Sequence, residues 1–245
     1  MANLYYLDSS KQLENLNIGD QFTLEGEDAH HAATVSRLQQ GETIQIGDGN
    51  GTIYHCEAIT VVPKKIELEI LMSSESTKSK PEIWLVQGLA KAGRDELAIQ
   101  MATELGVAGV IPWAAGRSIV KWDVAKAEKN RDRWQKILRE AAKQSIRPHI
   151  PQVLGVITSP GLADLATKEQ VIVLEPTAGV ALSELEISGE KVFLVVGPEG
   201  GFTEGELDMF EKSGATLVRL GSEILRTSTA GAAAMSALNL KLGKW

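Results

Sequence analysis

The chain has 245 residues, 43% of them hydrophobic and 23% charged, with a net charge of −7. This is the balance of a globular protein of one or two domains with a real core, and it argues against a uniformly basic nucleic-acid-binding chain. A single cysteine, Cys56, excludes an internal disulfide framework and a multi-cysteine metal site. No apolar run approaches the roughly 20 residues of a membrane span. The N-terminus shows neither the basic region nor the cleavage site of a secretory signal. No membrane and a cytoplasmic location are therefore expected.

The charge is uneven. Residues 1–75 carry 4 basic and 12 acidic side chains, residues 76–150 carry 14 and 8, and residues 151–245 carry 7 and 12. A basic excess confined to the middle third can meet phosphates while the remainder stays acidic. The plain alternative is a solvated helix face.

Short strands with turns are predicted first, at Leu4–Leu7, Gln21–Leu24, Thr43–Gly47, Thr52–Val62 and Lys65–Met72, punctuated by Gly19-Asp20, Gly41-Glu42 and Gly47–Gly51. Asp28–Leu38 is the one helix predicted among them, with Ala32, Val35 and Leu38 on its apolar face. Cys56 reads as a small core residue. The adjacent His30 and His31 have no third ligand at metal spacing, so no metal is expected. Residues 73–80, polar and ending at Pro81, mark a linker, which places the domains at 1–74 and 75–245.

Beyond the linker, strands alternate with helices. Glu82–Gln87 and Val107–Trp113 read as strands, and Asp95–Leu105 as a helix with Leu97, Met101 and Leu105 in register. Glu128–Ser145 is a long helix, with Trp134, Ile137, Leu138, Ala141, Ala142 and Ser145 on one face, stopped by Pro148 and Pro151. Val171–Leu174, Val192–Val196 and Thr216–Leu220 complete the strands. This rhythm predicts an α/β domain with a parallel sheet covered on both faces.

Four constellations carry chemistry. The loop Gly88–Arg94 is basic, holds two glycines and enters a helix. Lys91 and Arg94 there suit phosphate, although the P-loop pattern is absent. Arg117 follows the strand ending at Trp113. Glu140, Gln144 and Arg147 stand at i, i+4 and i+7, on one helix face. Last, Val192–Val196 runs into Gly197-Pro198-Glu199-Gly200-Gly201, Thr203 and Glu206 form a capping box, and the strand Thr216–Leu220 leads through Gly221 and Ile224–Ala230 into a small-residue helix, Gly231–Leu240. Two glycine turns after two strands suggest one cradle at the carboxyl edge of the sheet.

GPEGG followed by LGSEILRTSTA resembles the S-adenosylmethionine site of the SPOUT methyltransferases, and more narrowly the RsmE family, which methylates N3 of a uridine in small-subunit (16S) ribosomal RNA. The likeness covers most of the chain. It includes His30-His31, Val35–Leu38 and Gly41-Glu42 in a part that resembles a PUA-like domain, then Thr103–Val107, and Glu140–Ser145 with Arg147. It departs in three places: no arginine stands within the first residues, Ile146 replaces an expected glycine, and Ser228 replaces a glutamate of many relatives. The resemblance implies a SPOUT domain with a trefoil knot behind a PUA-like β-barrel, and a homodimer acting on 16S rRNA in the small ribosomal subunit. It implies cofactor contacts from Leu174, Glu175, Gly197, Pro198, Glu199, Gly200, Gly201, Leu220, Gly221, Ile224, Leu225, Arg226, Thr229 and Ala230. It implies RNA contacts from His30, Arg37, Lys91, Arg94, Arg117 and Gln144.

The acceptor dictates the catalytic need. Uracil N3 loses a weakly acidic proton before it can attack a methyl sulfonium. The site must orient N3 in line with the methyl and stabilise anionic charge on O2 and O4. Arginine suits that task because it stays protonated. Arg147 or Arg226 is the expected charge sink, and Glu140 is the candidate for the proton. N3 lies on the Watson–Crick edge, so the target must be unpaired or flipped out. The rivals are a SPOUT enzyme acting on another base or on a ribose 2′-OH, and a non-catalytic RNA-binding assembly factor. A Rossmann nucleotide enzyme is disfavoured because no GxGxxG follows a first strand.

Overall fold

The computed structural model describes residues 4–7 and 16–245. The first residues, where the family likeness expects an arginine, lie mostly outside them. The chain divides into two compact units, residues 1–78 with 142–150, and residues 79–141 with 151–245.

The N-terminal unit contains strands β1 (Leu4–Tyr6), β2 (Gln21–Glu25), β3 (Thr43–Gly47), β4 (Thr52–Val62) and β5 (Lys65–Glu75) in one sheet ordered β1-β3-β4-β5-β2. β1 runs parallel to β3, and the other pairs are antiparallel. Alternate residues fill a single core: Ile44 and Ile46 on β3, Tyr54, Cys56 and Ala58 on β4, and Ile66, Leu68 and Ile70 on β5. Register shifts in β4 at His55/Cys56 and Ala58/Thr60 bend the sheet around that core. Cys56 is fully buried, and burial pushes its thiol up to about 12, which leaves it an inert packing residue. Residues 142–150 belong here through Ala142 packed on Leu4 and Tyr6, backbone bonds from Gly51 to Pro148 and from Ile150 to Gly49, and a Lys143–Asp28 ion pair at 2.7 Å.

Helix α1 (Gly26–His30) continues into a π-helical turn, His31–Val35. The apolar face expected over Asp28–Leu38 needs correcting. Ala32 and Leu38 are buried, but Val35 is 64% exposed. The wider π turn rotates Val35 off the core face, and Arg37, at φ 56°, has already left the helix.

The second unit is a sheet ordered β11-β13-β10-β12-β6-β7-β8, parallel throughout, with β9 also pairing β7. The strands are β6 (Glu82–Gly88), β7 (Gly109–Ala114), β8 (Gln152–Val153), β9 (Ile157–Thr158), β10 (Gln170–Leu174), β11 (Val180–Ala181), β12 (Lys191–Val196) and β13 (Thr216–Arg219). The helices are α2 (Arg94–Glu104), α3 (Val124–Gln144), α4 (Ser159–Ala166), α5 (Glu204–Lys212) and α6 (Thr227–Lys241). Side chains split by strict alternation. Leu85, Val192, Leu194 and Val196 join Ile99, Trp134, Leu138, Met235 and Leu238 in one core. Trp84, Val86, Phe193 and Val195 join Trp113, Leu162, Phe202 and Phe210 in the other. A sheet buried on both faces follows, as strands that are apolar at every position require. Among the described residues no helix is long and apolar enough to cross a membrane.

Helix α2 turns only part of the expected face inward: Leu105 packs on the core and Met101 is half-buried, but Leu97 is not buried. Leu97 is 47% exposed, while Ala98, Ile99 and Ala102 are fully buried. α2 packs against α6, and Ile99 and Ala102 share one core with Ala234, Met235 and Leu238. α4 and the short strands β8, β9 and β11 have no counterpart in the sequence reading.

Candidate active site

Strands β12, β10 and β13 lie side by side in the second unit. Their carboxyl ends release the segments 197–203, 175–179 and 220–226. These segments, Arg94 and the first turn of α6 enclose a cavity of about 410 Å³, within the range of roughly 300–1,000 Å³ typical of small-molecule sites. Leu174, Val196, Phe202, Val218, Leu220 and Leu225 give it apolar walls, and Glu175, Glu199, Glu223, Arg94 and Arg226 bring charge.

Local sequence explains why the loops meet there. At Gly88 a Cβ would stand 2.6 Å from the Pro198 backbone nitrogen, so β6 and the segment after β12 approach closely only through glycine. Gly201 has φ 66°, the left-handed turn that glycine takes without strain. The chain then leaves through the expected capping box, with Thr203 and Glu206 bonding reciprocally at the start of α5. Glu206 does more than cap. Its carboxylate also accepts from the Gly116 N–H at 2.7 Å and the Ser159 hydroxyl at 2.7 Å. Burial opposes its charge, but the bonds from Thr203, Ser159 and Gly116 win and hold the carboxyl below the usual range.

Electrostatic contacts tie the basic loops to the cradle. Glu199 Oε1 accepts from the Lys91 backbone N–H at 3.1 Å and from the Arg94 guanidinium at 3.2 Å. The side chain of Glu199 is only 18% exposed. Arg117 donates to the Gly200 carbonyl at 3.2 Å. Asp95 accepts from the Ala90 and Glu96 N–H groups and so shapes the turn into α2, while burial raises its carboxyl. The loop Gly88–Arg94 is thus tied to Glu199, and its last residue, Arg94, reaches the wall of the cavity. Glu175 Oε1 accepts from the backbone and hydroxyl of Thr177. Thr227 donates to the Gly197 carbonyl at 2.6 Å.

The cofactor residues expected from sequence fall as follows. Leu174, Glu175, Gly197, Pro198, Glu199, Gly201, Leu220, Gly221, Ile224, Leu225, Arg226 and Ala230 line the cavity. Gly200 and Thr229 do not. Gly200 is packed on Arg117, whose carbonyl lies 3.1 Å from where a Cβ would be, and Thr229 is exposed in the first turn of α6. Arg94, expected at RNA, is itself a wall residue. Phe202, Glu223 and Thr227 also line the cavity and were not anticipated. Phe202 directly follows the glycine turn, and Thr227 stands within the quoted run, so each was in plain view without a pattern to mark it. Ser228 is 7% exposed.

Glu140, Gln144 and Arg147 do not share one helix face. α3 ends at Gln144, and Ile146 takes φ 52° before Arg147. Glu140 falls in the second unit and the other two in the first. Glu140 and Gln144 are exposed. Burial lowers the Arg147 guanidinium to about 10, against the pull of Tyr6, and the Arg147 carbonyl accepts from the Tyr6 hydroxyl. Elsewhere in the N-terminal unit, His30 faces the Thr34 hydroxyl at 3.3 Å, His31 faces the Tyr5 hydroxyl at 3.2 Å, and Arg37 is exposed. Among the described residues no three His, Cys, Asp or Glu side chains converge as a metal site.

The RNA methyltransferase domain family matches residues 77–239, and the RNA methyltransferase PUA domain family matches residues 24–71. The chain is 35% identical over 251 aligned residues to a protein of Mycobacterium bovis named ribosomal RNA small subunit methyltransferase E, covering 100% of this chain and 94% of that one. It is 33% identical to the Bacillus subtilis protein of the same name, covering 96% and 95%. A crystal structure of the Neisseria gonorrhoeae ribosomal RNA small subunit methyltransferase E, bound to S-adenosylmethionine, superposes with a TM-score of 0.85 at 29% identity over 98% of each chain. With two domain families in order and full-length relatives above 30% identity, the chain belongs to the ribosomal RNA small subunit methyltransferase E family of RNA methyltransferases.

Proposed function

We propose that the protein transfers a methyl group from S-adenosylmethionine to N3 of one uridine in 16S rRNA of the small ribosomal subunit. The observation that carries this reading is the cavity at the carboxyl ends of β10, β12 and β13, in a chain whose full-length relatives bear that enzyme's name. The residues present fit the cofactor. The apolar walls suit adenine, the Glu175 carboxylate retains acceptor capacity for ribose hydroxyls, and a cavity with three carboxylates against two guanidinium groups favours a cationic guest. When bound, S-adenosylmethionine supplies an electrophilic methyl on a positively charged sulfur.

The protein's own groups then have four tasks. Arg226, on the cavity wall, stabilises the anionic charge that uracil O2 and O4 acquire when N3 gives up its proton. Arg147 is proposed for the same task and Glu140 for the proton. The apolar walls exclude water around the methyl. Lys91, Arg94, Arg117 and Gln144, with His30 and Arg37 of the N-terminal unit, are proposed to meet RNA. Arg94 does so while still paired with Glu199. A cytoplasmic homodimer with the C-terminal strand-and-helix segment threaded as a trefoil knot completes the proposal.

The test is methyl transfer from labelled S-adenosylmethionine to small subunits from a strain lacking this protein, with the modified nucleoside identified by mass. N3-methyluridine is the expected product. A methylated ribose or another base would overturn the uridine assignment, and cofactor binding without methyl transfer to subunits or naked RNA would move the function to another substrate or to a binding role. Arg147→Ala with full turnover and unchanged cofactor affinity would remove Arg147 from its role. Light scattering at two protein concentrations tests the dimer.

A further inference from the structure

Gln87 is the polar exception in β6. Its register partners are Val196 on β12 and Pro112 on β7, and it is 0% exposed. A leucine would satisfy the sheet. Instead Gln87 Nε2 donates to the Gly88 carbonyl at 3.1 Å and to Thr227 Oγ1 at 2.8 Å, while its Oε1 is buried without a hydrogen-bond partner. Leaving an acceptor unpaired in a buried strand is a cost that a functional demand has to explain.

The directions of the protons follow from chemistry. A backbone carbonyl only accepts, so the amide nitrogen must face Gly88 and the oxygen must face away. Thr227 Oγ1 therefore accepts a hydrogen bond from Gln87. Its single hydroxyl proton is left for the Gly197 carbonyl, 2.6 Å away. Gly197 opens the segment after β12, and Thr227 opens α6 directly after the segment from β13. Both residues line the cavity.

We propose that Gln87 is a positioning residue: it aligns the Thr227 hydroxyl so that Thr227 clamps the Gly197 carbonyl, holding the two glycine segments at the spacing the cofactor needs. The unpaired Oε1 is the consequence of turning the amide nitrogen toward Thr227. This inference rests on the cavity being the S-adenosylmethionine site.

The experiment measures S-adenosylmethionine binding by calorimetry to the full chain and to Gln87→Leu, Thr227→Val, Thr227→Ser and the Gln87→Leu/Thr227→Val double variant, with a cofactor-free melting temperature for each. The clamp predicts that Gln87→Leu and Thr227→Val each weaken binding by about fivefold to tenfold, the worth of one buried neutral hydrogen bond. It predicts that the double variant binds no worse than Thr227→Val, and that Thr227→Ser recovers what Thr227→Val loses, independently of melting temperature. Multiplying effects in the double variant, or binding by Gln87→Leu equal to that of the unaltered chain, would overturn it. If Gln87→Leu does not fold, the two Thr227 variants decide alone, and Thr227→Val binding at full affinity overturns the clamp. Failure of the unaltered chain to bind would instead overturn the cofactor assignment.

Discussion

Ile146 stands in the left-handed region at φ 52°, a conformation that β-branched side chains rarely take. The family likeness expects glycine there, and the backbone has the shape glycine would supply. Left-handed geometry costs an L-residue roughly 1–2 kcal/mol, against about 0.5–1 kcal/mol of extra chain entropy lost by glycine. The side chain is 40% exposed, so its removal forfeits little burial. Ile146→Gly is expected to melt about 1–3 °C higher by calorimetry; a lower melting point would contradict the strain. Glu206 makes the opposite kind of contribution. Its folded carboxyl titrates below the ordinary value, so its stabilisation is full above that value and is lost as pH falls through the folded one. Glu206→Gln should therefore flatten the acid limb of a melting-temperature profile below the ordinary glutamate range, while an unchanged slope would assign acid sensitivity elsewhere. At Arg226 the expected effect is catalytic. Arg226→Ala should cut turnover at saturating cofactor by about 10²–10³-fold, the loss typical of one charge-stabilising donor, and full turnover would exclude it as the charge sink.

At the scale of elements, the cradle depends on how closely β6 approaches the segment after β12. Gly88→Ala places a methyl against the Pro198 backbone, which cannot rotate away as a side chain would. The variant should lose about 1–3 kcal/mol of stability to overpacking and should bind S-adenosylmethionine more weakly, both read from thermal unfolding with and without cofactor. Helix faces were less legible than helix positions. α2 and α3 were expected almost where they stand, yet α2 buries its alanines and leaves Leu97 exposed. Hydropathy ranks leucine above alanine, but the buried face of α2 is set by Ala98, Ile99 and Ala102, two of which pack in one core with Ala234, Met235 and Leu238 of α6. The expected face of Glu140, Gln144 and Arg147 failed for a backbone reason, because the turn at Ile146 comes between Gln144 and Arg147.

For the whole molecule, charge and ligation give the measurable consequences. The basic excess of residues 76–150 predicts RNA binding that weakens with salt, and Lys91→Ala and Arg117→Ala should each reduce the logarithmic salt slope by about 1 if they meet phosphates. S-adenosylmethionine at 100 times its dissociation constant should add about 2.7 kcal/mol to the unit that holds the cavity, a rise of roughly 5–10 °C in melting temperature for a chain of this size. No shift would exclude the cavity as the cofactor site.

Alternating and fully apolar runs were enough to locate β3 and β4 to the residue, the central strands of the parallel sheet and the capping box at Thr203, since each is set by neighbours within a few positions. The motif GPEGG with LGSEILRTSTA was enough to point to a cofactor cradle and a family. Only the tertiary structure placed residues 142–150 with the N-terminal unit, built Arg94 into the cavity wall through Glu199, and joined Gln87 to Gly197 through Thr227. Those relations connect residues as many as 141 positions apart. Local propensity carries no information across such distances, because which side chains meet is decided by how the sheet orders its strands and by the space left between them.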